Sequence, residues 1–204
     1  MTNKSVKDIN EFFGKTNGEL YDNWDNYHDE IINNKDWRCH KHAATWIMNT
    51  VDEADPIADI GAGSGEIGYE LRINPHVGKG PYIIDAYDMN QKMLDRFITD
   101  SYRSKTCHNI YDGPLPTQYK YIVGTGVFTL DHIDAKASEN LANSLTEDGL
   151  LFGPMPYSYH DNYLETGGWL EQKHLEIYVV GKPYESIKIE GKQEYHRDII
   201  FKRK

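Results

Sequence analysis

The stretch from residue 57 to residue 71, IADIGAGSGEIGYEL, restricts the fold more than any other part of the chain. A short apolar run reaches Asp59, glycine then stands at 61, 63 and 65, and a helical pattern begins at once. A strand that passes directly into a helix through such a turn is the opening of a βα unit. Glycine lets the backbone turn sharply and lets a ligand lie against bare main chain, with the helix amides facing it. The bland alternative is a tight strand-to-helix turn that holds no ligand.

The rest of the chain repeats that beginning. PYIIDAYD precedes NQKMLDRFITD, KYIVGTG precedes AKASENLANSL, and GLLFGP precedes a Tyr-rich segment. Short apolar runs alternating with amphipathic ones predict a parallel sheet covered by helices on both faces. Upstream, VKDINEFF, GELYDNWDNYHDEII and KDWRCHKHAATWIMNT carry helical spacing and predict two or three short helices. Downstream, HLEIYVV and YHRDIIFKR alternate as half-exposed strands around the turn-rich GKPYESIKIEGKQ, which predicts an antiparallel hairpin with a long connection. With 204 residues and no linker or repeat, one domain is expected, with a helical segment over 1–50, a ligand-binding half over 51–155 and a substrate-side half over 156–204.

The glycine spacing also discriminates among ligands. A dinucleotide fingerprint wants glycine at the sixth position, and here Glu66 puts an anion where a pyrophosphate would lie. A nucleoside without phosphates fits better, above all one carrying a positive centre near Asp59 and Glu66. The second strand ends in Asp88, and a carboxylate at that mouth can accept both hydrogen bonds of a ribose diol. Asp85 competes for this role but lies three residues inside the strand.

DIGAGSGEIG followed by DMNQKML resembles motifs I and II of the class I S-adenosylmethionine-dependent methyltransferases. YDNWDNYHDE is similar to the YDxWAxxYD segment that lies over the cofactor in many small-molecule members. YKYIVGTGVFTLDHI with LANSLTEDGLLF resembles their fourth strand and the turn into the fifth, although Glu147, Asp148 and Gly149 replace the usual Pro-Gly-Gly. Within the family the nearest likeness is to the methyltransferase-like subgroup of the Williams-Beuren region. The resemblance implies a Rossmann-like sheet of seven mostly parallel strands, an antiparallel carboxyl end and an N-terminal helical lid. It implies S-adenosyl-L-methionine as cofactor, held by Tyr21, Tyr27, Asp59, Gly61, Ala62, Gly63, Asp88, Met89, Asn109, Gly124 and Thr125. Asn109 and Asp112 both stand where the family places its third acidic position, so the adenine contact is open between them.

A substrate pocket should lie beyond the carboxyl ends of the strands, near Thr125, Phe128, Asp131 and His132 after the fourth and near Tyr157, Tyr159 and His160 after the fifth. His132, Tyr157 and His160 are the catalytic candidates. His132 leads, because neutral imidazole with an ordinary pKa of about 6.5 takes a proton at physiological pH. Tyr21, Trp24 and Tyr27 recur at helical spacing, either as a packed aromatic face or as a lid whose rings attract a cation.

Composition narrows the partners. A net charge of -10 repels phosphate backbones and anionic lipid, no (D/N)PP(Y/F) follows the fourth strand, and no apolar run reaches the roughly 18–20 residues of a membrane span. A small-molecule substrate is therefore expected, with no nucleic acid and no membrane, in the cytoplasm. The two cysteines, Cys39 and Cys107, lack metal spacing, and His40 and His42 at i and i+2 of a helix point apart, so no metal is expected. The acceptor and the oligomeric state are not written in the sequence. An aminopropyl-transferase-like enzyme and a non-catalytic nucleoside-binding protein are the competing readings.

Overall fold

The computed structural model describes residues 21, 27–74, 80–158, 162–189 and 191–204. Strands β1 (Ile57–Ile60), β2 (Ile84–Asp88), β3 (Ser104–Cys107), β4 (Tyr119–Val123) and β5 (Leu145–Pro156) pair in parallel, and β6 (Leu175–Val180), β7 (Tyr184–Ile189) and β8 (Lys192–Arg203) join them antiparallel. The spatial order is β3-β2-β1-β4-β5-β8-β6, with β7 also beside β8. The chain runs outward from β1 to β3 and then returns to β4 on the other side of β1. This reversal opens a crevice at the carboxyl ends of β1 and β4.

Helix α1 (Cys39–Thr50) buries Cys39, Ala43 and Ile47, which share one face at a spacing of four, and packs with α2 (Glu66–Ile73) over Ile57, Ile84, Tyr121 and Val123. The opposite face, with Ala58, Ile60, Ile122 and Leu151, is covered by Leu141 of α4 (Ser138–Ser144) and by Phe128 and Trp169. Every residue of β1 and β2 is buried, as expected of central parallel strands covered on both sides.

Two expectations need correction. The sheet has eight strands rather than seven, because the stretch read as a long hairpin connection contains β7. At twelve residues β8 is twice as long as β6, so β6 covers only Ile199–Arg203, and the edge resumes as β7 along Lys192–His196. Gly181 joins the two pieces, its amide donating to the Asp198 carbonyl at 2.8 Å.

The other correction concerns α3, which spans only Gln91–Asp95 although the helical pattern continues to Asp100. Its start is fixed by the Asn90 side chain, which accepts from the amides of Lys92 and Met93. Its end is set by tertiary contacts. The Ile98 amide donates to the Ser64 carbonyl at 3.0 Å, and Phe97 packs so closely on Gly65 that an added Cβ would lie 3.0 Å from its ring. The glycine turn thus pulls this segment out of helix.

Of the proposed N-terminal lid, only Tyr21 and the residues from Tyr27 onward are described, including one turn of π-helix over His28–Asn33. Trp24 lies outside the described residues. No helix among the described residues is long and apolar enough to cross a membrane.

Candidate functional site

A cavity of about 510 Å³ fills the crevice, within the roughly 300–1,000 Å³ typical of small-molecule sites. Its walls come from Tyr21 and Tyr27, the turn after β1, the mouth of β2, the segment after β3 and the loop after β4. Every described wall residue lies between 21 and 133, so the segment 156–204 contributes none of them.

The glycines of the turn have different tasks. Gly61 (φ 61°) and Gly63 (φ 55°) both adopt the left-handed conformation that side chains disfavour. At Gly61 the close neighbour is the protein itself, because an added Cβ would lie 2.0 Å from Val127 Cγ1. At Gly63 the nearest atom would be Met93 Cε at 3.7 Å, so this residue offers bare main chain to the cavity.

Asp88 ties that turn to β2. Its Oδ2 accepts the Gly63 amide at 2.9 Å and its Oδ1 accepts the Asn90 amide at 2.8 Å. A carboxylate offers about four acceptor positions, so two remain for a ligand. Burial raises the proton affinity of this carboxyl above its ordinary value, against the opposing pull of the two amides and of His132. Asp85, its competitor in the sequence, is saturated. It takes both Arg103 Nε (2.9 Å) and the Arg103 Nη2, the Ser104 hydroxyl (2.6 Å) and the Tyr119 hydroxyl (2.9 Å). Burial alone would raise its proton affinity, and these donors reverse the effect and hold it low. Asp85 organises the sheet, and Asp88 faces the cavity.

His132 and Tyr21 meet across the cavity, with the tyrosine hydroxyl 2.9 Å from Nε2. The other ring nitrogen, Nδ1, lies 3.1 Å from the Leu130 carbonyl, which can only accept. Nδ1 therefore carries the hydrogen, and Nε2 presents a lone pair to which Tyr21 donates. Burial lowers the proton affinity of His132, partly offset by the Leu130 carbonyl and then by Asp131 and Asp88. Tyr111 pins the loop: its hydroxyl lies 3.0 Å from the His132 carbonyl and accepts the Asp134 amide at 2.9 Å. Asp131 holds φ 64°, unusual without a glycine.

Behind the turn, Asp59 and Glu66 border a second space of about 20 Å³ with Tyr27, Trp37 and Thr125. Ala62 lines the same space. Asp59 is buried and accepts the Tyr102 hydroxyl at 2.6 Å. Burial pushes its carboxyl up to about 7, against the Tyr102 hydrogen bond. Glu66 takes the Ser64 hydroxyl at 2.7 Å and His28 Nδ1 at 2.9 Å.

The raised Asp59 affinity has a definite sign for stability. An unfolded aspartate titrates near 3.9, so the folded protein holds this proton more tightly. The resulting stability is complete below about pH 4 and is lost as pH rises through about 7. Asn imitates the neutral acid. Asp59→Asn should therefore be more stable than wild type at pH 8 by on the order of 2 kcal/mol, with the advantage gone at pH 4. At about 1.4 kcal/mol per tenfold change in proton affinity, this is roughly half the full effect, because an amide accepts from Tyr102 less strongly than a carboxylate does. Urea unfolding at the two pH values measures it, and equal stability at pH 8 would refute it.

The remaining sequence candidates divide. Met89, Asn109 and Thr125 line the main cavity. Asp112 does not, and its amide donates to the Asn109 carbonyl at 2.9 Å. Gly124 is packed beneath the floor, where a Cβ would lie 2.9 Å from both Ile60 Cγ1 and Val127 Cγ2. Phe128, expected in the pocket, is fully buried in the core. Tyr157 stands apart from the described walls, bridged to Asn162 with Arg197 over its ring at 4.8 Å. His160 and Tyr159 lie outside the described residues. His40 and His42 point to different partners, Glu70 and Asp198. Asn90 and Tyr111 also line the cavity, although neither is among the candidates named from the sequence. Asn90 was detectable as an N-cap before KML, whereas nothing local marks Tyr111.

No family model matches the sequence, and no curated protein is similar enough to match it. Solved structures do resemble this chain. A TehB-like SAM-dependent methyltransferase from Corynebacterium glutamicum aligns over 79% of this chain and 86% of its own at 20% identity, TM-score 0.56. An S-adenosylmethionine-dependent methyltransferase from Clostridium acetobutylicum aligns over 90% and 98% at 15% identity, TM-score 0.53. The fold is that of the S-adenosylmethionine-dependent methyltransferases. A third structure with it, the methyltransferase CalH in complex with SAH, aligns over 78% of this chain and 54% of its own at 18% identity, TM-score 0.54.

Proposed function

We propose that this protein is an S-adenosylmethionine-dependent methyltransferase acting on O, N or S of a small-molecule acceptor. The observation that carries the reading is the Asp88 carboxylate, which holds the Gly63 amide inside the cavity with acceptor capacity to spare. The residues present fit the cofactor. The spare acceptor positions of Asp88 suit a ribose diol, and the open main chain at Gly63 suits a ligand in contact with the backbone. Asn109 and Tyr27 line the same cavity, Asn109 as the candidate for reading the adenine and Tyr27 as a ring that attracts a cation. When bound, the cofactor supplies an electrophilic methyl group and its own leaving group.

The chain's own work is then mainly positioning. Orientation accounts for roughly 7–11 kcal/mol of barrier reduction, whereas a general base contributes about 10²–10⁴-fold, or roughly 3–5 kcal/mol. The negative net charge and the size of the cavity support a small acceptor rather than a nucleic acid.

Incubation with S-adenosylmethionine and metabolite pools tests the reading. S-adenosylhomocysteine should accumulate. Methylthioadenosine in its place would identify aminopropyl transfer, and binding without turnover a sensor or partner subunit.

A further inference from the structure

The Tyr21–His132 pair reaches beyond cofactor binding. Its polarity is fixed by the Leu130 carbonyl: Nδ1 donates there, Nε2 is the basic atom, and the Tyr21 hydroxyl donates to it at 2.9 Å. The pair lies in the wall of the same cavity as Asp88 and Asp131, and Tyr111 fixes the loop that carries it. A base of defined tautomer, already joined to a hydroxyl that lines the cavity, is the arrangement of a two-member proton path.

Resting on the methyltransferase reading, we propose that the acceptor is a protic group, a hydroxyl, thiol or N–H, and that the Tyr21–His132 pair removes its proton. The acceptor heteroatom forms the new bond to the methyl carbon, and the electron pair of the broken carbon–sulfur bond stays on sulfur. The acceptor's proton passes to the Tyr21 oxygen as the Tyr21 hydroxyl proton moves to His132 Nε2. The charge balance of the crevice explains why this histidine stands here. Sulfur loses one positive charge and the imidazole gains one, so the carboxylates of Asp88 and Asp131 face one cation before the step and one after it. A thioether or tertiary amine acceptor has no proton to give and would leave the pair idle.

The prediction can be read without knowing the acceptor. Before transfer the cofactor is the cation near Asp88, and afterwards the vacancy is filled by protonated His132. His132 should therefore be held neutral in the S-adenosylmethionine complex, where the sulfonium repels a second cation, and should keep its ability to take a proton in the S-adenosylhomocysteine complex. Tyr21 touches the imidazole, Asp88 and Asp131 act on it through their charge, and the other titratable groups in the wall of the same cavity are Tyr27 from the N-terminal segment, Lys92 of α3, and His108 and Tyr111 after β3. Asp59 titrates nearby behind the turn, and comparing the two ligands on one protein isolates His132 from groups common to both complexes.

Titration calorimetry of each ligand between pH 5.5 and 7.0, in buffers of different ionisation enthalpy, counts the protons. The expected result is up to one proton more with S-adenosylhomocysteine, the affinity ratio moving toward it by up to tenfold per pH unit. His132→Asn should bind both ligands and lose the difference. In the wild type, the imidazole Cε1–H signals should show one histidine titrating in this range only in the S-adenosylhomocysteine complex, which keeps the test valid if the variant folds poorly. Equal proton counts, or a difference that survives in His132→Asn, overturn the inference and leave the methyltransferase reading standing. Failure of both ligands to bind the wild type overturns that reading instead.

Discussion

Asp88→Ala is expected to weaken S-adenosylmethionine and S-adenosylhomocysteine binding by at least 100-fold in titration calorimetry. Hydrogen bonds to a charged acceptor contribute roughly 1.5–3 kcal/mol each, so loss of a pair to the ribose hydroxyls costs about 3–6 kcal/mol, or some two to four powers of ten in affinity. The variant also releases the Gly63 and Asn90 amides, which loosens both the turn and the cap of α3. Asp88→Asn separates the two effects. Its amide oxygen can still accept one of those backbone hydrogens, so the fold should survive while affinity still falls at least tenfold. Wild-type affinity in Asp88→Asn would remove this carboxylate from the site.

The second large effect is on stability. Gly61→Ala should destabilise the protein by about 2–5 kcal/mol in urea unfolding. A left-handed backbone costs a residue with a Cβ roughly 1–2 kcal/mol, and overpacking against Val127 adds roughly 1–3 kcal/mol, given the 2.0 Å approach. Val127→Ala in the same chain should return the packing part and leave the backbone part, a coupling that a double-mutant cycle measures directly. Gly63→Ala, whose Cβ meets only Met93 at 3.7 Å, should lose binding more than stability. If Gly61→Ala and Gly63→Ala are equally stable, the division of labour between the two glycines is refuted.

The comparison of Asp59 with Asp85 shows how alike two residues can look in sequence and how differently they behave. Both are acids inside parallel strands, and both are buried. Asp59 meets one hydroxyl and is pushed toward neutrality, while Asp85 meets a guanidinium and two hydroxyls and is held ionised. Arg103 and Tyr119 are 18 and 34 residues away from Asp85, and no local pattern announces such partners.

What the sequence determined by itself is what short-range physics controls. Period-two and period-3.6 patterns placed β1, β2, β4, β5, β6 and β8 and the helices α1, α2 and α4, though not β3 or β7, and the run from Asp59 to Glu66 marked the crossover, because backbone sterics and the burial of apolar faces act over a few neighbours. Asp88 was preferred to Asp85 from position alone, since three residues along a strand separate its mouth from its interior. What only the tertiary structure decided are the contacts that close over long chain separations. The Ser64 carbonyl and Phe97 end α3 early, the length of β8 turns a presumed connection into β7, Val127 rather than a ligand explains Gly61, and the hydroxyl of Tyr21 comes to rest on His132, 111 residues away. Sequence carries periodicity, and distance in space is settled only when the whole chain has packed.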